Sequence, residues 1–369
     1  MPTTSGRPPS AVKVVIAFAT VYLVWGSTYF FIRLSVAHIP PMLVGVFRYL
    51  TAGILLLVWC LLTGKPVFSG GAVGPAFVSG VLLLCGGNGI LIWSEQYIPS
   101  SLAAILLASG PIWFVVLDKK MWRQNFSSRS TIAGLVMGFI GVLLLFAERI
   151  KPGAGRGAGG AVVMGANGVP GGVAGSGPAG HAVAGAAVSG MTEMTTLALG
   201  VLVIGSISWA AGSLYSKYRS APVSNSVNAG WQMSLAGLVF AVFSWLSGEW
   251  TDFRIREVPL SSWLAVAYLV TLGSLAGYSA FVWLLQVRPA TQVSTHAYVN
   301  PVVAVLLGVF FLGEQMTPLQ MAGLAIILCS VLMINLAKYR KSAGAGPDRG
   351  KTGPAERQPA IDGDGRSTS

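Results

Sequence analysis

The sequence predicts an all-α membrane protein, with ten transmembrane helices in two inverted five-helix repeats. Three observations carry this. The 369 residues are 53% hydrophobic and 10% charged, whereas about a quarter of a soluble domain is charged. Ten apolar segments can be marked, each near the ~20 residues that span a bilayer as helix. Finally, residues 93–111, WSEQYIPSSLAAILLASGP, align without a gap on residues 283–301, WLLQVRPATQVSTHAYVNP.

That alignment places Trp93, Gln96, Pro99 and Pro111 on Trp283, Gln286, Pro289 and Pro301, at an offset of 190. Upstream, Trp25 matches Trp209, Arg48 matches Gln232, and Ala52-Gly53 matches Ala236-Gly237, all at an offset of 184. Downstream, Gly134 matches Gly323 at 189. Small steps in the offset are what loop-length changes leave between duplicated units.

In chain order, residues 1–11 are a cytoplasmic N-terminus, and the first repeat runs over 12–147. Its apolar segments are 12–32, 42–62, 73–93, 100–121 and 131–146. The first is longer than the ~7–15 apolar residues of a signal peptide, so it is read as a retained helix. Residues 148–194 are read as a flexible Gly/Ala-rich extracytoplasmic linker in preference to an extra spanning segment, because their glycines and small side chains make a poor helix. The second repeat covers 195–337, with segments at 195–215, 226–246, 261–284, 291–312 and 319–336. Residues 338–369 are polar, rich in Gly, Pro and charge, and are read as a disordered cytoplasmic tail.

Charge tests the threading. With alternate loops on alternate sides, seventeen of the 24 Lys and Arg fall on one side and six on the other, and Arg48 is left inside a helix. The positive-inside rule then puts both termini in the cytoplasm. Five helices per repeat is an odd number, so the second unit enters the membrane upside down. Transporters use such repeats to build a midplane site that opens to either side in turn. The net charge of +12 follows loop orientation rather than one amphipathic face, which argues against nucleic acid.

Several residue types are expected to do nothing special. Cys60, Cys85 and Cys329 lie in apolar runs without a pairing signal, and His38, His181 and His296 lack ligand-spaced partners, so neither metal nor cofactor is expected. AGPDRGKT at 345–352 lacks the strand and helix that a phosphate loop needs, and the NFS sequon at Asn125 falls in a cytoplasmic loop. Gly134, Gly138 and Gly141 leave one helix face bare, for internal packing or for a homodimer.

Polar groups inside the spans are the candidate site. Arg48 either faces a polar interior or snorkels outward, since a mid-bilayer charge costs about 2.5–3.5 kcal/mol. Its counterpart Gln232 falls in the opposite half of the membrane, so the two offer contacts at either end of one path. Glu95 is a solvated boundary residue, or it binds a substrate amine or a proton. Gln292, His296 and Asn300 share one helical face, as a packed cluster or a cavity wall with His296 as the proton-sensitive group. Trp25, Tyr29, Trp209, Tyr278 and Trp283 are core or interfacial-belt aromatics, with Trp25 and Trp209 too deep for the belt, and all five join Trp93 as cavity candidates. Pro111 and Pro301 are expected to break the fourth and ninth helices at matching places.

WGSTYFFIR from Trp25, FRYLTAG around Arg48, GNGILIWSEQYIPSSLAAILLASGPIW from Gly87 and NPVVAVLLGVFFLGEQMTPLQMAG from Asn300 resemble the EamA branch of the drug/metabolite transporter superfamily, over about residues 12–336. The resemblance implies two five-helix units and a cavity lined by helices 1, 3, 4, 6, 8 and 9, which adds Asn88 to the cavity candidates. It also implies export of small metabolites, amino acids among them, from a bacterial cytoplasm. The linker is longer than that family's usual connection. The expected function is alternating-access transport of a small molecule across the inner membrane, either proton-coupled through Glu95 and His296 or as an uncoupled facilitator. A membrane enzyme needs a cluster of His, Asp or Glu at one interface, and a sensor or scaffold needs a folded tail module. The sequence shows neither.

Overall fold

The computed structural model describes residues 10–69, 71–98, 103, 106–150, 178–312 and 317–344. Most of the linker, the tail from 345 and the phosphate-loop lookalike lie outside them. Among the described residues the ordered elements are helical, with no strand. The principal helices are α1 (Ala11–Val36), α2 (Pro41–Leu62), α3 (Val73–Ser94), α4 (Gly110–Leu117), α5 (Arg129–Ile150), α6 (Pro178–Arg219), α7 (Asn225–Leu246), α8 (Leu260–Val287), α9 (His296–Leu312) and α10 (Pro318–Gly344).

Six of these are long and apolar enough to cross a membrane among the described residues: α1, α2, α3, the Met194–Arg219 part of α6, α7 and α8. Leading into α5, the pair Lys119–Phe126 and Arg129–Leu144 bends by 96°. The molecule's outer face carries Leu23, Phe30, Trp59, Leu62, Trp245, Leu246 and Leu264 in the open. A lipid solvent makes such a surface favourable.

Local signals place the helix starts. Pro41 and Pro318 occupy first-turn positions, where the missing N–H costs nothing. The Glu249 carboxylate accepts from the free Met42 and Leu43 N–H groups at 3.2 and 3.0 Å, so an acid from another helix caps the positive end of α2. Ser224 caps α7 by accepting from the Val227 N–H. Thr317 and Gln320 exchange reciprocal bonds ahead of α10.

One sequence expectation changes. Helix α6 begins at Pro178, inside the stretch read as a non-helical linker. The segment from Pro178 is rich in Ala, the strongest helix former, and it continues directly into an apolar span whose packing holds the helix. The glycine face of α5 is filled from within the chain. A Cβ on Gly134 would lie 2.7 Å from Ile334, and one on Gly141 2.8 Å from Ile327, both on α10.

Three helices widen at their centres into π-helical turns: Val46–Leu50 in α2, Val81–Gly89 in α3 and Leu269–Tyr278 in α8. Such turns concentrate at functional sites because the extra residue per turn redirects side chains. The α3 and α8 segments overlap at the offset of 190 seen in the sequence. That of α2 has no counterpart in α7, which is α-helical throughout.

Candidate functional site

The two halves meet through reciprocal contacts. At Gly87, in the α3 π segment, a Cβ would lie 2.8 Å from Trp209 of α6; at Gly277, in the α8 π segment, it would lie 2.6 Å from Trp25 of α1. Each glycine of one half therefore seats the tryptophan of the other. The same exchange joins α2 and α7, where Gly53 rests on the Ser234 backbone and Gly237 on that of Leu50.

Beside the seated tryptophans, and lined by both, lies a cavity of about 70 Å³. Trp25, Thr28 and Tyr29 project into it from one face of α1, Arg48 from α2, and Asn88 from α3. Helix α6 contributes Ser206 and Trp209, and α9 contributes His296 and Asn300. A water needs about 10–15 Å³, so this space holds a few waters. A metabolite enters only if the helices part.

One wall is aromatic. Trp25 meets Trp209 edge to face at 5.4 Å between centroids, and Phe281 lies 4.9 Å from Trp25 and 5.3 Å from Trp209. His296 packs edge-on against Trp25 at 5.1 Å and against Phe281 at 5.5 Å. Its Nδ1–H donates to the Val293 carbonyl at 2.9 Å, which leaves the Nε2 lone pair as its acceptor in the neutral ring. Trp25 Nε1 donates to Gly273 O at 3.1 Å and is fixed by it.

The remaining polar groups are mostly unspent. Arg48 is 3% exposed; its Nε donates to Ser274 Oγ at 3.0 Å, and its guanidinium lies 4.8 Å from the Tyr49 ring centroid. Arg48 Nη1, Trp209 Nε1 and Asn300 Oδ1 are buried without partners, giving two donors and one acceptor around the cavity. Asn300 also pairs with Tyr29, which lies within reach of the Glu95 charge. Pro111 and Pro301 have no N–H to give to the carbonyls of Leu107 and Ala297, one turn earlier in each case. Leu107 and Ala297 both line the cavity.

Trp25, Tyr29, Arg48, Asn88, Trp209, His296 and Asn300 thus line one cavity. Glu95, only 5% exposed, is not a solvated boundary acid, and Arg48 does not snorkel. Trp93 faces a separate apolar groove of about 550 Å³ with Phe240 and Phe243. Trp283 is half-buried against the core. Gln232 and Tyr278 lie in a closed network: Gln232 Nε2 donates to Ser79 Oγ at 2.7 Å and Ser216 Oγ at 3.0 Å, and Tyr278 OH donates to Gln232 Oε1 at 2.8 Å. The prolines do not kink at matched positions. Pro111 opens α4, Pro301 sits inside α9, and in each case the turn lies upstream, at Ala108-Ser109 and Ser294-Thr295.

Beside the Gln232 network the helix ends are tied together. Lys217 Nζ donates to the Leu285 carbonyl and, at 2.7 Å, to that of Arg288, capping the C-terminus of α8. Gln286 Nε2 donates to Ser216 O at 3.2 Å, and Tyr218 OH donates to Asp118 Oδ1 at 2.8 Å. Sequence reasoning missed these ties, as it missed Ser206, Ser274 and Phe281. The Gly87–Gly277 pair was within reach, since the ungapped alignment extends upstream to it at the same offset.

Comparison with known proteins agrees with this architecture. The EamA-like transporter family model matches the chain twice, over residues 12–147 and 196–336. The uncharacterized inner membrane transporter YedA of Escherichia coli (strain K12) is 32% identical over 326 residues, 88% of this chain and 90% of its own length. The uncharacterized transporter YvbV of Bacillus subtilis (strain 168) is 23% identical over 92% of this chain and 96% of its own, and protein PecM of Dickeya dadantii (strain 3937) is 25% identical over 84% and 88%. A crystal structure at 18% identity shares the fold, with a TM-score of 0.63 over 90% of this chain and 99% of that one. With two family units filling most of its length and several helices fit to cross a bilayer, the chain is a multi-pass membrane protein that belongs to the EamA-like transporter family.

Proposed function

We propose that the chain exports a small polar metabolite, an amino acid or related compound, across a bacterial inner membrane by alternating access. In this reading ten helices form two five-helix repeats inserted in opposite senses, and both termini face the cytoplasm. One observation carries it: the cavity lies where Trp25 and Trp209, equivalent residues of the two halves, meet. A site on the axis between inverted repeats can pass from one side to the other by rocking one half against the other.

Two further features support the reading. The buried unpartnered groups, donors on Arg48 and Trp209 and an acceptor on Asn300, complement a solute bearing both an acceptor and a donor. The ties made by Asp118, Lys217, Tyr218 and Gln286 lie toward the predicted cytoplasmic end, where an inner gate would close. Proton coupling is the finer reading, with His296 at the cavity and Glu95 beside Tyr29 as its acid–base groups. Without coupling the same geometry works as a facilitator.

The test is efflux from cells overproducing the chain, comparing internal and external metabolites with and without a proton uncoupler. The expected result is one compound class accumulating outside, with the uncoupler abolishing accumulation if protons drive it. An unchanged external profile, with the protein confirmed in the membrane, contradicts export.

A further inference from the structure

We propose that Arg48 anchors an anionic group on the transported molecule, namely a carboxylate, and so sets the substrate's charge. The inference rests on the transport reading above and names the chemistry of that site. Its basis is a full positive charge held in the cavity wall with no countercharge. Arg48 is 3% exposed, and among the described residues it makes no ion pair. Its fixed contacts are two, Ser274 Oγ on Nε and the Tyr49 ring face, and neither carries charge.

Geometry leaves one end of the guanidinium open. Ser274 holds Nε, and Gly273 beside it has no side chain, so an added Cβ there would stand 3.3 Å from Arg48 Nη2. Nη1 is buried and unpartnered. A guanidinium carries its donors in a planar fork that matches the two oxygens of a carboxylate, a fit that a lysine ammonium does not have. An unpartnered charge away from water is costly, and an incoming anion is the partner that relieves it.

The position equivalent to Arg48 shows that the repeat does not require such an opening. Gln232 spends both amide hydrogens and its oxygen on Ser79, Ser216 and Tyr278. Trp209 Nε1, the other unpartnered donor of the cavity, provides a second contact for an anion, while Asn300 Oδ1 takes a donor elsewhere on the solute.

The experiment uses the full chain in lipid nanodiscs, titrated with the proteinogenic amino acids as free acids, with their methyl esters, and with sodium sulfate and chloride. Esterification removes the charge and keeps the rest of the molecule. At least one free acid is expected to bind at least tenfold more tightly than its ester, and Arg48→Gln should erase that preference. Arg48→Lys, keeping charge without the fork, should retain part of it. Ser274→Ala, which frees Nε without removing charge, should weaken acid binding several-fold and leave ester binding unchanged. Equal binding of acid and ester, an acid preference surviving in Arg48→Gln, or no binding of any acid overturns the anchor. So does saturation by sulfate or chloride without discrimination among acids, which makes Arg48 an inorganic-anion site. None of these outcomes bears on efflux by the wild-type chain, which decides the transport reading separately.

Discussion

Arg48 and Gln232 occupy equivalent places in the two halves, yet their environments are opposite. Arg48 sits in a π-helical turn with one nitrogen unpaired at the cavity; Gln232 sits in regular helix with every amide group bonded. The surrounding frame is symmetric, since Gly87 seats Trp209 as Gly277 seats Trp25. Duplication thus supplies a matched scaffold, and in the proposed mechanism departures from the match mark where binding and closure are built. The half around Arg48 holds an open charge. The half around Gln232, with Lys217 and Asp118 nearby, holds a satisfied hydrogen-bond network, the proposed seal.

The comparison can be broken in graded ways. Arg48→Ala is expected to insert normally yet lower efflux at least a hundredfold, and efflux near the wild-type rate would remove Arg48 from the site. Gly87→Val and Gly277→Val should each destabilise by about 1–3 kcal/mol, since both force a side chain onto a seated tryptophan. Thermal unfolding in detergent tests whether the two losses match, and a large inequality would break the symmetry of the frame. Gln232→Leu removes three buried bonds and leaves their partners unsatisfied, costing about 1–3 kcal/mol. By the same assay that cost should fall with Ser79→Ala already in place. Smallest is the effect of Asp118→Asn, which weakens the acceptor of Tyr218. It should change efflux by only a few-fold while raising labelling of the sealed end by a thiol reagent.

Most of the frame was legible in sequence because duplication leaves two copies to compare. The equivalence of Trp25 and Trp209 and six apolar spans follow from spacing and apolar length, whereas Arg48's burial decided between two readings that the sequence left open. The site was half legible, for a physical reason. Cavity residues such as His296 and Asn300 stand out as polar groups in apolar spans, but so do Gln232 and Tyr278, which spend their polarity on each other. Sequence shows that a polar group is in the membrane, not whether its partner is a neighbour or a solute. The π-helical turns that aim Arg48 and Asn88 left no local signal either. The turns upstream of Pro111 and Pro301 depend on packing that spacing alone does not encode. The Ala-rich start of α6 was misjudged because its glycines were weighed without the span it leads into.

The most direct test of the account is thiol accessibility from the two sides of the membrane, after the free cysteines Cys60, Cys85 and Cys329 are replaced by serine or alanine. Ser206→Cys reports the cavity and Ser216→Cys the seal. A membrane-impermeant reagent applied outside should label Ser206→Cys and spare Ser216→Cys, while the same reagent inside should reach Ser216→Cys only when transported solute is cycling. Labelling of both positions from one side at the same time, or no change at either position with any solute, would contradict a cavity that opens alternately.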